Sequence, residues 1–118
     1  MKGVVSFVVI FLLSFSNGEA NEFKAVKLYE FCTRKSDSPE SIGCSAYITG
    51  FTEGLFIGKS LPGSGHSYCP PKGMTTAQAR LVIEKFLRER PQMLNEAASS
   101  MAMAALVLAF PCNSKSSN

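Results

Sequence analysis

Few side chains in this sequence could do covalent or metal chemistry, and they stand far apart. The thiols are Cys32, Cys44, Cys69 and Cys112, and the single histidine is His66. A cysteine nucleophile needs an adjacent base, and His66 lies three residues before Cys69. That spacing is outweighed by a structural reading, in which Cys69 is half of a disulfide and His66 is a residue of a Gly/Pro-rich loop. The carboxylates are no better placed. Asp37 and Glu40 share a polar loop and Glu53 stands alone on a predicted helix. Zinc sites usually show closely paired ligands, whereas the gaps between these cysteines are 11, 24 and 42 residues. No phosphate loop and no Ser-His-Asp set can be read. The sequence predicts a non-enzyme that uses no metal and no cofactor.

The cysteines gain a role from the start of the chain. Lys2 is followed by an apolar run from Val4 to Phe15, and Gly18 and Ala20 are spaced as in a small-residue cleavage site. These are the parts of a secretory signal peptide, and the run is shorter than the ~20 residues that span a bilayer. Residues 1–20 are therefore expected to be a cleaved signal, and 21–118 a single small domain in the periplasm, free of the membrane once the signal is removed. Losing Lys2 and Glu19 leaves the net charge at +3. The basic residues are scattered without interleaved aromatics, which argues against a nucleic-acid partner. An exported chain with an even cysteine count points to disulfides.

The elements that must place these cysteines read as helices. Ala25, Leu28, Tyr29 and Cys32 follow helical spacing, which predicts a helix over about Glu22 to Thr33. A polar stretch with Pro39 and Gly43 then forms a loop. A second helix from about Ser41 carries Cys44, Tyr47, Ile48, Phe51 and Leu55 on one face. The third has a capping-box start, Thr75 with Gln78 three residues on. Its buried face is Ala79, Val82, Ile83, Phe86 and Leu87, and Glu84–Arg88 and Lys85–Glu89 are opposite-charge pairs on the wet side. Pro91 ends it. A fourth helix is expected from about Gln92 to Phe110, with Leu94, Ala97, Ala98, Met101, Ala105, Leu108 and Ala109 on one face. Its second half is apolar all round, which predicts a central position or a partner such as a second copy in a homodimer. The fold class is thus all-α, a small four-helix domain stapled by two disulfides. Four cysteines allow three pairings. Helix order favours Cys32–Cys44 across one short loop, and Cys69–Cys112 across the ends of two antiparallel helices.

Within the second helix, Ala46, Gly50, Gly54 and Gly58 recur every four residues. Small residues at this spacing can pair membrane helices, but Thr49, Thr52, Glu53 and Lys59 rule that out. Tyr47, Gly50 and Gly54 are read instead as helix-packing residues, with the glycines set close against the alanine face of the fourth helix. Between the second and third helices lies KSLPGSGHSYCPPKG, too rich in Pro and Gly for regular structure. Long loops of this kind often carry function. Ser60, Ser64, His66, Ser67 and Tyr68 are its candidate binding residues, with Arg34–Glu40 as a possible helper and a plain connector as the alternative.

The order of motifs adds a further layer. Leu28-x3-Cys32 is followed by Cys44-x2-Tyr47-x2-Gly50-Phe51-x2-Gly54, then by Cys69-Pro70-Pro71-x-Gly73 and Thr75-x2-Gln78. Phe86-Leu87-x3-Pro91 and Ala104-Ala105-Leu106-x3-Phe110-Pro111-Cys112 complete the series. From Leu28 to Cys112 the chain resembles the Rap/Tai family of immunity proteins. The resemblance implies a periplasmic all-helical protein that binds a cognate secreted amidase toxin, a peptidoglycan amidase delivered by type VI secretion, and obstructs its active-site cleft, often as a dimer. The cysteine and glycine positions carry over as fold residues. Toxin-contacting residues sit in loops that vary with the toxin, so no motif position assigns them. The alternative is a disulfide-stabilised periplasmic helical binding module for another envelope protein or ligand.

Overall fold

The structure, a computed structural model, describes residues 22–63, 65 and 67–113. The expected signal peptide lies outside these residues, as do Ser64 and His66. Among the described residues there are four α-helices and one 3-10 turn and no strand. They are α1 (Ala25–Cys32), α2 (Pro39–Lys59), α3 (Thr76–Arg88) and α4 (Ala98–Ala109), with the 3-10 turn at Pro91–Met93 before α4. None of these helices is long and apolar enough to cross a membrane.

Each start has a local cause. Ser38 caps α2, its hydroxyl accepting the Ser41 N–H, while Pro39 takes the first helical position and Glu40 the first turn. Proline costs nothing there because that N–H has no helical partner, and its φ already fits the helix. Thr75 and Gln78 form the complete capping box at the start of α3. α1 begins later than its sequence pattern suggests. Lys24 is extended and forms an isolated antiparallel bridge with Ala97. The first free N–H groups of α1 are satisfied by that neighbour, Ala25 N–H donating to Glu96 O at 2.9 Å and Val26 N–H to Leu94 O at 2.9 Å. The same pairing shortens the fourth helix. Residues near Ala97 supply carbonyls to α1, and Ala97 itself has ψ 133°, so the helix expected from Gln92 begins only at Ala98.

The core is built from α1 and α3, each of which packs against all three other helices. Leu28, Ile48, Ile83, Leu87 and Leu106 are its large fully buried side chains. This corrects the expected central place of α4. Ala98, Met101, Ala105 and Leu106 are buried, but Leu108 is 66 % exposed and Ala109 is exposed. Both expected disulfides are present, Cys32–Cys44 and Cys69–Cys112. The first lies in the core.

Arg80 ties three helices together. Its guanidinium donates to Ser41 Oγ at 2.9 Å, to Ser45 Oγ at 3.3 Å and to the Cys32 carbonyl, and its Nε donates to Glu84 Oε1 at 2.8 Å. Glu84 is therefore drawn inward to Arg80 and away from the expected pairing with Arg88. Lys85 and Glu89 do approach each other, at 4.0 Å on the exposed side.

The glycine reading needs correction. Gly50 and Gly54 face solvent, and a methyl group added at either would meet no atom within 4 Å. α2 packs on α1 and α3, so the alanine face of α4 is not its neighbour. Tyr47 does sit among rings, stacked on Phe51 at 6.1 Å and tilted against Phe23 at 5.3 Å. With open space around them, the glycines weaken the helix without a packing return. Gly54→Ala and Gly50→Ala are each expected to raise stability by about 0.5–1 kcal/mol, measured by urea unfolding of the folded domain. A loss of stability at either would show a close contact that the fold does not contain.

Candidate functional site

α2 is the longest element. Its 21 residues span about 31 Å, against about 12 Å for an eight-residue helix such as α1. Its fully buried residues, Ser41, Cys44 and Ile48, all lie in the first half. The C-terminal half is covered on one side only and presents Phe56 (73 % exposed), Ile57 (63 %) and, just beyond the helix, Leu61 (60 %). Scattered apolar residues on a surface are ordinary, but several together mark an interaction site. Beside them, α2 and the segment Pro70–Thr76 enclose a groove of about 600 Å³. Leu55, Phe56, Ile57 and Met74 supply its apolar lining, and Glu53, Lys59 and Lys72 its charges. Lys59 lies in the last turn of α2, where a cation suits the negative end of the helix dipole.

The loop that borders this groove is fixed at both ends. Ser60 caps α2, its hydroxyl turned back to the Phe56 carbonyl at 3.4 Å. Gly63, at φ 79°, and Gly73, at φ 77°, take left-handed turns that a side chain would strain. At the far end Tyr68 and Pro111 form an isolated bridge. Cys69 N–H donates to Phe110 O at 2.9 Å and Cys112 N–H to Ser67 O at 3.2 Å, with the Cys69–Cys112 disulfide beside them.

The structure sorts the predicted loop residues. Ser60 and Ser67 are exposed at the two ends of the loop. Tyr68 is mostly covered, although it is one of the residues that line the groove. It is only 7 % exposed, packs edge-on against Phe110 at 6.4 Å, and its hydroxyl points to Met74 Sδ at 3.9 Å. It anchors the loop, with its backbone bridged to Pro111 and its ring packed beside Phe110. Phe56, Ile57 and Leu61 went unrecognised in the sequence. Their signal was present, since they follow one another off the buried face of α2, but the helix's overhang could not be read from α2 alone.

Burial raises the phenol pKa of both Tyr47 and Tyr68 above the usual 10.0. A raised native pKa means that the unfolded chain ionises first, so the stability these phenols contribute is whole below pH 10 and falls as pH rises through the native value. Tyr47→Phe with Tyr68→Phe is expected to flatten the loss of stability above pH 10, read from unfolding midpoints on either side of that pH.

The arrangement is a small, disulfide-stapled helical binding domain that displays an apolar overhang and a braced loop. Among the described residues no group of three His, Cys, Asp or Glu side chains could hold a metal ion. Residues 24–112 match the profile of the Rap1a immunity proteins, and the chain belongs to that family. Membership implies that this protein binds a cognate toxin protein. A comparison with curated proteins finds no match.

Proposed function

We propose that this protein is exported to the periplasm, where it protects its own cell wall by binding a peptidoglycan amidase delivered by type VI secretion and covering its active-site cleft. The observation that carries the reading is the overhang of α2, where Phe56, Ile57 and Leu61 stand exposed beside the loop and groove in a chain of immunity-protein family. Inhibition needs no chemistry from the inhibitor. It needs a protruding surface that excludes substrate, and apolar side chains already exposed lose water on binding.

The test is co-production of the mature protein in the periplasm with the amidase encoded beside it, together with titration calorimetry of the purified pair. Survival and a tight complex are expected. Phe56→Asp with Ile57→Asp should weaken the complex by about thirtyfold or more, the size of a hot-spot loss, while leaving the helical signal unchanged because neither side chain is in the core. Lysis with no heat of binding would remove the amidase from consideration and favour a helical binding module for another envelope protein. Binding that survives the double substitution would move the contact off the overhang.

A further inference from the structure

The two disulfides differ in their access to a reductant. Cys32 and Cys44 are 2 % and 0 % exposed, sealed between α1 and α2. Cys69 and Cys112 are both partly exposed. Lys59 Nζ lies 3.9 Å from Cys69 Sγ. Thiol–disulfide exchange requires an attacking thiolate to reach one sulfur while the other leaves as a thiolate, and it runs faster when the leaving thiol has a low pKa. A neighbouring ammonium lowers a thiol pKa. Cys112 is thus the sulfur to attack and Cys69 the one to leave.

We propose that Cys69–Cys112 is a reducible latch on the loop after α2, opened by a dithiol reductant while Cys32–Cys44 stays closed and the helices stay folded. In the first step a thiolate of the dithiol bonds to Cys112 Sγ, the Cys69–Cys112 bond breaks, and Cys69 departs as a thiolate beside Lys59. In the second, the other thiol of the reductant loses its proton and displaces Cys112. The reductant becomes a cyclic disulfide, having given two electrons to the bridge, and the two cysteines take up the two protons. What is left at the loop end is the pair of backbone hydrogen bonds donated by Cys69 and Cys112 and the Tyr68 ring, too little to keep those two amides closed to solvent. Helices α3 and α4 keep their core contacts through Ile83, Leu87, Ala105 and Leu106. The consequence for binding rests on the reading that this loop and the groove beside it meet the toxin. An oxidised inhibitor presents a braced loop, and a reduced one must order that loop on binding, which costs affinity.

The experiment uses the mature protein and graded dithiothreitol at about pH 7.5, where a modest thiolate fraction is present. The reaction is stopped with N-ethylmaleimide and mapped by peptide mass. Cys69 and Cys112 are expected to be alkylated at least about tenfold faster than Cys32 and Cys44, with the far-ultraviolet helical signal retained and amide protection lost at Cys69 and Cys112. Lys59→Met should slow the opening by about threefold. Cys69→Ser with Cys112→Ser, permanently unlatched, should remain helical and show the same loss of protection. Bridges that open together, or helices that melt as this bridge opens, would overturn the latch. An unchanged opening rate in Lys59→Met would overturn the assigned direction of attack. Because these readouts involve no toxin, a failure of the latch is separable from a failure of the immunity reading. In the toxin arm, oxidised protein should bind the amidase at least about tenfold more tightly than alkylated protein. Equal affinity of the two forms would overturn the latch's effect on binding, whereas an oxidised form that does not bind at all would count against the amidase.

Discussion

Arg80→Ala is expected to lower the unfolding free energy by about 2–4 kcal/mol, among the largest losses available to a single substitution here. The side chain is only 19 % exposed and its partner Glu84 18 %. It meets Ser41, the one buried polar residue among the described core, at 2.9 Å, and it also holds the Cys32 carbonyl at the end of α1. Truncation removes a charge-assisted donor from several acceptors at once and leaves Glu84 with its charge half-buried and unpaired, the situation in which deletion costs more than the bond was worth. Lysine should rescue only part of the loss, since an ammonium cannot reproduce the planar fork that reaches α1, α2 and Glu84 together. Urea unfolding followed by circular dichroism measures both variants. A loss below about 1 kcal/mol for alanine, the scale of an exposed ion pair, would show that the network is surface decoration.

Leu28→Ala is expected to cost about 3–5 kcal/mol, the upper part of the range for buried leucine. α1 has only eight residues, and a helix that short is not stable by itself in water. Its buried face consists of Ala25, Leu28 and Cys32, so Leu28 is the only large aliphatic anchor it has. The loss is amplified because α1 touches every other helix and its first turn also supplies the partners for Leu94 and Glu96. Val26→Ala on the same helix, at 37 % exposure, should cost under about 1 kcal/mol and serves as the comparison in the same thermal and urea series. If the two substitutions cost the same, α1 is held by the Cys32–Cys44 bridge alone and not by packing.

Much of the architecture was legible because it depends on neighbours in the chain. The Thr75–Gln78 capping box, the buried row Ala79, Ile83 and Leu87 and the stop at Pro91 are local, and the structure reproduces them. The cysteine pairing followed from helix order, since antiparallel neighbours bring Cys69 and Cys112 together. The errors share one origin. Gln92–Ala97 has an apolar helical pattern, but its carbonyls at Leu94 and Glu96 are taken by the N–H groups of Val26 and Ala25, far away in sequence. Gly50 and Gly54 have the spacing of a close helix contact, and no helix is there. Tyr68 has the look of a fully exposed loop side chain, and the fold packs most of its ring beside Phe110.

The sequence by itself determined the helical class, the capping-box start of α3, the stops before Pro91 and Pro111, and the two disulfides, because these rest on local hydrogen bonding, side-chain periodicity and connectivity. Its ordered motifs also carried the resemblance that the family match bears out. Only the tertiary structure decided which helices are central, which face of α2 stays uncovered, and that Phe56, Ile57 and Leu61 rather than Tyr68 stand exposed beside the groove. Periodicity states that a face is apolar. Whether that face is covered depends on the lengths and placements of other helices, and here a 21-residue helix outruns the neighbours that could cover it.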